Sequence, residues 1–357
     1  MTYTPINKGQ FTLETAQREQ AFERNRGFGV EEAYAENRRQ WTDYPKTQHV
    51  ADYPPHVDIE LASVCNLRCA MCYTITSEFK KRVNAKLMDY DLFTKIVDQC
   101  ADGGVYSIRL SFRGESFLHK RVVDCVKYAK DKGIQEVSSL TNGVKMDEGM
   151  FTALMESGMD WLTFSIDGMG ETYESIRKPA KFDRMVEKLT NFKRLRDQAG
   201  RVKPVIKVQT IFPAIQDDPE SYYKTFQPIS DMVSSNPLID YLRNDNPEQI
   251  LYHEDFSCPQ LYQRLVIGAD GTSMMCTNDE DNEYVVGDAN SQAIHEIWHG
   301  EAMTEARRLH REHLGHIEIS PCRKCYLPRR TVDDVITMGG REIAVANYIN
   351  RSQKIGK

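Results

Sequence analysis

His56-Val-Asp-Ile-Glu-Leu-Ala-Ser63 leads into Val64-Cys65-Asn-Leu-Arg-Cys69-Ala-Met-Cys72-Tyr73, and this stretch decides the fold. The first run is strand-like, and the three thiols follow in the loop that leaves the strand at its carboxyl end. Thiolates are soft ligands that select zinc, copper(I) or iron–sulfur clusters. Structural zinc takes four protein ligands, often from two paired knuckles, so three clustered cysteines leave one metal position open. An iron–sulfur cubane on three cysteines keeps one iron free to bind something else. Part of a zinc site is the alternative.

Downstream, apolar strands alternate with amphipathic helical segments. The pattern predicts strands at 57–63, 105–111, 135–140, 161–166, 203–211 and 238–242, with helices near 88–102, 119–132, 147–157, 182–199 and 219–233. Six such units predict an α/β fold: a partial (β/α)6 TIM-like barrel with its site at the carboxyl ends of the strands. Residues 1–55 are polar and helix-like and predict an N-terminal helical extension. The expected division is therefore 1–55, a barrel over 56–243, and a small cysteine-rich domain with a C-terminal tail over 244–357.

The bulk composition narrows the function classes. Hydrophobic residues make up 40% and charged residues 27% of 357 residues, and no apolar run approaches the roughly 20 residues that span a bilayer. Net charge is −6 with no long Lys/Arg block, so neither nucleic acid nor membrane is an expected partner. The first residues lack a basic stretch before an apolar core, which predicts a cytoplasmic protein with reduced thiols. Seven of the nine cysteines fall into two groups, as metal or catalytic use requires. Cys100 and Cys125 lie on apolar helix faces and are expected in the core.

The second group comprises Cys258, Gly271-Thr-Ser-Met-Met-Cys276 and Cys322-Arg-Lys-Cys325. Four cysteines make a complete ligand set, and by spacing alone zinc fits as well as an iron–sulfur cluster. The histidines at 295, 299, 310, 313 and 316 are expected on a surface helix rather than around a second metal. The face on which Gln209 lies in its strand is left open.

Cys-x3-Cys-x2-Cys followed by Tyr73 resembles the cluster loop of the radical S-adenosylmethionine (SAM) superfamily. In that family SAM chelates the unique iron of a [4Fe–4S] cluster, and its reductive cleavage yields a 5′-deoxyadenosyl radical that abstracts hydrogen from substrate. Phe112-Arg113-Gly114-Glu115-Ser116 resembles the family's Gly-Gly-Glu-Pro motif, departing at Arg113 and Ser116, and implies that Glu115 helps to hold the SAM amino group. Thr141-Asn142-Gly143 and Ser165-Ile166-Asp167-Gly168 match places that contact the SAM ribose and carboxylate, implying Asn142, Ser165 and Asp167. Arg177 falls where the family often has an arginine near SAM or substrate.

The second group, with its Gly287-Asp288 turn and the Glu296-Ile297-Trp298 helix, resembles the auxiliary-cluster domain called SPASM or its shortened form, twitch. Full SPASM domains carry about seven cysteines and two clusters, so four imply one fully ligated [4Fe–4S] cluster. The resemblance thus implies two clusters, SAM and a flavodoxin- or ferredoxin-type electron donor. It also implies a radical SAM oxidoreductase, a dehydrogenase or epimerase. Removing an electron from a ketyl-type radical needs a nearby acceptor, which favours a small polyhydroxylated substrate, a sugar or aminocyclitol, oxidised or epimerised. The alternative is maturation of a ribosomally made peptide by thioether formation, carbon–carbon crosslinking or epimerisation. A non-catalytic iron–sulfur or zinc protein would account for the cysteines but not for the six β/α units.

Overall fold

A computed structural model describes residues 2–6, 11–239, 246–351 and 355. Its first elements are β1 (Phe11–Thr12), α1 (Ala16–Gly27) and α2 (Glu31–Thr47). Six strands follow: β2 (His56–Ile59), β3 (Ser107–Arg109), β4 (Glu136–Thr141), β5 (Trp161–Ser165), β6 (Val205–Ile211) and β7 (Met232–Asn236). They pair in parallel in chain order, and helices 90–102, 122–131, 148–156, 182–198 and 219–226 make the crossovers. This is the expected (β/α)6 arrangement. β1 adds antiparallel to β7 at one edge. At the other edge β8 (Arg264–Ile267) runs parallel to β2, and β9 (Thr272–Met274) and β10 (Val285–Asp288) extend the sheet.

Register explains which residues make the core. Val57, Ile108, Val137, Leu162, Ile206 and Val233 lie on one face of the sheet and belong to the main hydrophobic cluster. Because paired residues in a parallel sheet share a face, Asp58, Arg109, Ser138, Thr163, Lys207 and Ser234 lie on the other. The helices cover the apolar face, and the barrel's inner face is polar.

The N-terminal helices close the amino ends of the strands. Arg26 of α1 donates from Nε and Nη2 to Glu136 at 2.9–3.1 Å and lies 4.1 Å over the Trp161 ring. Both residues start their strands, so α1 seals the end of the barrel opposite the cysteine loop. Inside, Asp58 is ion-paired with Arg109 at 2.6 Å and accepts from Arg264 Nη1 at 3.1 Å, and these cations balance its buried charge.

Three expectations change. The last barrel strand is β7, not 238–242, of which 240–242 lie outside the described residues. Its Ser234, Ser235 and Asn236 hide it from an apolar-run search. The helix expected over 219–233 ends at Phe226, where Pro228 cannot continue it. The C-terminal segment continues the barrel sheet, because β8 of its hairpin pairs with β2; the boundary expected at 243/244 lies outside the described residues. Beyond it the expected tail contains a hairpin, β11 (Thr331–Met338) and β12 (Arg341–Tyr348), turned by Gly339 and Gly340 with φ +57° and +74°. That turn needs positive φ at both positions, which glycine supplies.

Burial alone would raise the Glu136 carboxyl, but Arg26 outweighs it and holds the group below its ordinary value. Its contribution is therefore present above the unfolded carboxyl pKa and is lost as pH falls through the lower folded value. R26L strands Glu136 in the interior and is expected to cost about 3–5 kcal/mol near neutral pH. Denaturant unfolding at several pH values should show the deficit shrinking below about pH 4 as Glu136 protonates.

Candidate active site

Cys65, Cys69 and Cys72 lie on the loop that follows β2, and that loop is held from two sides. Gly114 N donates to Ala62 O (3.2 Å) and Glu115 N to Val64 O (2.9 Å). On the other side Arg68 N donates to Lys178 O and Ala70 N to Ile176 O. A Cβ at Gly114 would sit 2.3 Å from Val64 O and 2.4 Å from Ala62 O, so only glycine permits this approach.

Glu115 is buried, and its carboxylate accepts from Thr141 Oγ1 (2.7 Å), Asn142 N (2.7 Å) and Phe117 N (3.3 Å). Burial pushes its pKa up despite these donors. Glu115 thus ties the turn after β3 to the end of β4. Asn142 Nδ2 then reaches Asn66 Oδ1 at 3.0 Å and Cys65 Sγ at 3.8 Å. Asp167 accepts from Arg177 Nε at 2.7 Å and from Ile211 N at 3.1 Å. Burial works against the Arg177 charge, but Asp167 and the neighbouring Cys69 more than offset it, so its pKa is raised. Ser165 is buried at the end of β5. Of the five residues expected to contact SAM, Glu115, Asn142 and Arg177 border the cysteine loop, Asp167 is bound to Arg177, and Ser165 lies at the end of β5.

Cys258, Cys276 and Cys322 are buried and Cys325 is partly exposed. Burial pushes Cys258 up to about 12 and Cys325 to about 11, with Cys276 and Cys322 well above the ordinary thiol value. In the first set it pushes Cys69 up to about 12. Such thiols become thiolates when a metal centre supplies the compensating charge. Asn278 Nδ2 donates to Cys325 Sγ at 3.2 Å and Leu327 N at 3.4 Å, while His310 Nε2 lies 3.5 Å from Cys322 Sγ.

The donor set fits clusters better than single ions. Around one zinc, sulfurs about 2.3 Å from the metal crowd together. Among the described residues no three cysteine sulfurs lie within 4.8 Å of one another.

Arg113 joins the two cysteine segments. Its guanidinium donates to both oxygens of Glu60 at 2.7–2.8 Å and, through Nη1, to Glu280 O (3.1 Å) and Asn282 Oδ1 (2.8 Å). Its departure from the family motif was the signal in the sequence for this joint. Between the segments is an open cleft lined by Tyr73, Thr76 and Glu78 on one side and Asn278, Asp279 and Cys325 on the other.

Gln209 shares the inner face with Ser165 and Ser234, its register partners. The histidines do not share one surface: His310 and His316 are buried near the second cysteine set, while His295 is half-buried and His299 exposed. Their sequence spacing gave no sign of this split. G114A should displace the first cysteine loop and leave the second set intact. Iron analysis after reconstitution is expected to fall from about eight to about four per chain.

Residues 59–206 match the family model of the radical SAM superfamily, and residues 258–326 match that of the SPASM iron–sulfur cluster-binding domain. The tungsten-containing aldehyde ferredoxin oxidoreductase cofactor-modifying protein of Pyrococcus furiosus is 30% identical over 168 residues, covering 43% of this chain and 42% of that protein. GTP 3′,8-cyclase of Desulforamulus reducens is 28% identical over 130 residues, covering 36% and 39%. The chain thus spans about two-fifths of the length of these curated relatives. Among solved structures, BtrN in complex with AdoMet and 2-DOIA has a TM-score of 0.53 at 21% identity, covering 76% of this chain and 92% of that one. Streptococcus suis SuiB bound to its precursor peptide SuiA has a TM-score of 0.53 at 13% identity, covering 82% and 76%. At these identities the likeness is one of fold. With cysteine sets suited to a SAM-binding [4Fe–4S] cluster and to auxiliary iron–sulfur ligation, the chain carries a radical SAM domain over residues 59–206 and a C-terminal SPASM-type domain over residues 258–326.

Proposed function

We propose that this radical SAM enzyme acts on a small polyhydroxylated substrate, a sugar or aminocyclitol, and oxidises or epimerises it. When bound, the cluster and SAM supply hydrogen abstraction from an unactivated C–H bond. The observation that carries the substrate class is the polar inner face at the carboxyl ends of the strands. Ser165, Gln209 and Ser234 form one row across β5, β6 and β7, and Asn236 lies next along β7. The buried Ser234 Oγ and Asn236 Oδ1 have no partner among the described residues. A buried polar group without a partner costs about 1–3 kcal/mol, and substrate hydroxyls would satisfy these.

In this reading Cys65, Cys69 and Cys72 of the 56–243 unit hold the open cluster. Cys258, Cys276, Cys322 and Cys325 of the 244–357 unit fully ligate a second, which accepts or relays an electron. Asn142 and Ser165 contact SAM from the strand ends. Glu115, Asp167 and Arg177 hold the loops that orient it. The α1 plug keeps water from the opposite end of the barrel, and a flavodoxin- or ferredoxin-type protein supplies the electron.

Anaerobic incubation with SAM and dithionite should give 5′-deoxyadenosine that rises with polyols or aminocyclitols and carries deuterium from labelled substrate. S234A and N236A should each lower kcat/KM about tenfold, the equivalent of one hydrogen bond. Label transfer from peptides, with polyols inert, would overturn the substrate assignment in favour of peptide maturation.

A further inference from the structure

Away from both cysteine sets, Asp52 meets His295 and His299, and their ligand atoms all lie within 4.8 Å of one another. His295 is in the helix Ile294–Trp298 and His299 caps it, four residues on, so the two rings share one face. The rings are 4.5 Å apart. His295 Nε2 is 3.1 Å from Asp52 Oδ1, and His299 Nε2 is 2.9 Å from the Asp52 carbonyl oxygen. Zinc–nitrogen and zinc–oxygen bonds of about 2.0–2.2 Å set neighbouring ligand atoms about 3 Å apart, a spacing present between His295 Nε2 and Asp52 Oδ1, with His299 within 4.8 Å of both.

Contacts of the surrounding scaffold fix this arrangement. Trp298 Nε1 donates to Ala51 O at 2.8 Å, fixing the residue before Asp52. The Tyr53 ring, on the other side, fills the space at Gly103, where an added Cβ would lie 2.2 Å from it. The helix is itself anchored by Ile294 N, which donates to Gln99 Oε1 at 2.7 Å. A surface hydrogen bond requires only one imidazole. Here a second packs against the first and turns to the same aspartate. The Asp52 side chain is 84% exposed and that of His295 44%, so an ion can enter from solvent and complete its shell with water.

We propose that Asp52, His295 and His299 form a binding site for a divalent transition-metal ion of the zinc and nickel class. Two imidazoles and one carboxylate suit such ions. The bound ion clips the segment that leads from α2 into β2 onto the C-terminal segment, linking positions 243 residues apart.

The test uses the full chain with both clusters reconstituted, washed with chelator and dialysed anaerobically against micromolar zinc chloride, with zinc and iron counted together. Wild type should hold about one zinc per chain that H295A/H299A lacks, at equal iron in both. D52N should bind at least tenfold more weakly, and zinc should raise the melting temperature of wild type only. Equal zinc in wild type and H295A/H299A at equal iron, or D52N binding like wild type, would overturn the three-ligand site. Because iron is counted in every sample, damage to the clusters is distinguished from loss of this site.

Discussion

The buried ion pair between Glu60 and Arg113 is the joint on which the two halves of the site depend. Their side chains are 0% and 1% exposed, and a charge so buried is tolerated only when fully partnered. Glu60 accepts from the Arg113 backbone and guanidinium and from Ala269 N at the end of β8. Arg113 also reaches the segment just beyond Cys276. One ion pair therefore fixes the exit of β2, the turn after β3 and the segment that follows β9. Burial works against the Arg113 charge, but Glu60 outweighs it and holds the pKa above its ordinary value. Between these elements lie the first cysteine loop, the second cysteine set and the cleft they share.

A polar barrel interior complements this joint. In an ordinary barrel, layers of branched apolar side chains fill the centre. Here Asp58 is ion-paired with Arg109 and Arg264 in the lower part, and Arg26 enters from α1 to meet Glu136. Serine, glutamine and asparagine are left near the opposite mouth, across β5, β6 and β7. The segment that bears the auxiliary cysteines joins the same sheet, because β8 pairs with β2 and β9 with β8 just before Cys276.

Much of this was legible in the sequence where one pattern dominates. Five barrel strands alternate toward an apolar helix layer and stand out by periodicity. The cysteine spacings separated the two groups, and the family resemblance pointed to Glu115, Asn142, Ser165 and Asp167, which lie at or just beyond the ends of β3, β4 and β5. β7 was missed because its inward face is polar and its edge is covered by the two-residue β1, so no apolar run marks it. The β11–β12 hairpin was missed although its Gly339-Gly340 turn was a usable local signal. The Arg26–Glu136 and Glu60–Arg113 pairs, and the meeting of Asp52 with His295 and His299, join residues far apart in the chain. No local pattern encodes them.

The central claim is that one cysteine set leaves an iron open while the other closes its cluster. Mössbauer spectroscopy of protein reconstituted with 57Fe, recorded with and without SAM, tests it most directly. The account predicts that about one-eighth of the iron, the open site of one cluster among two, changes its isomer shift when SAM is added. An unchanged spectrum, or a change over about one-quarter of the iron, would contradict the assignment of one open and one closed cluster.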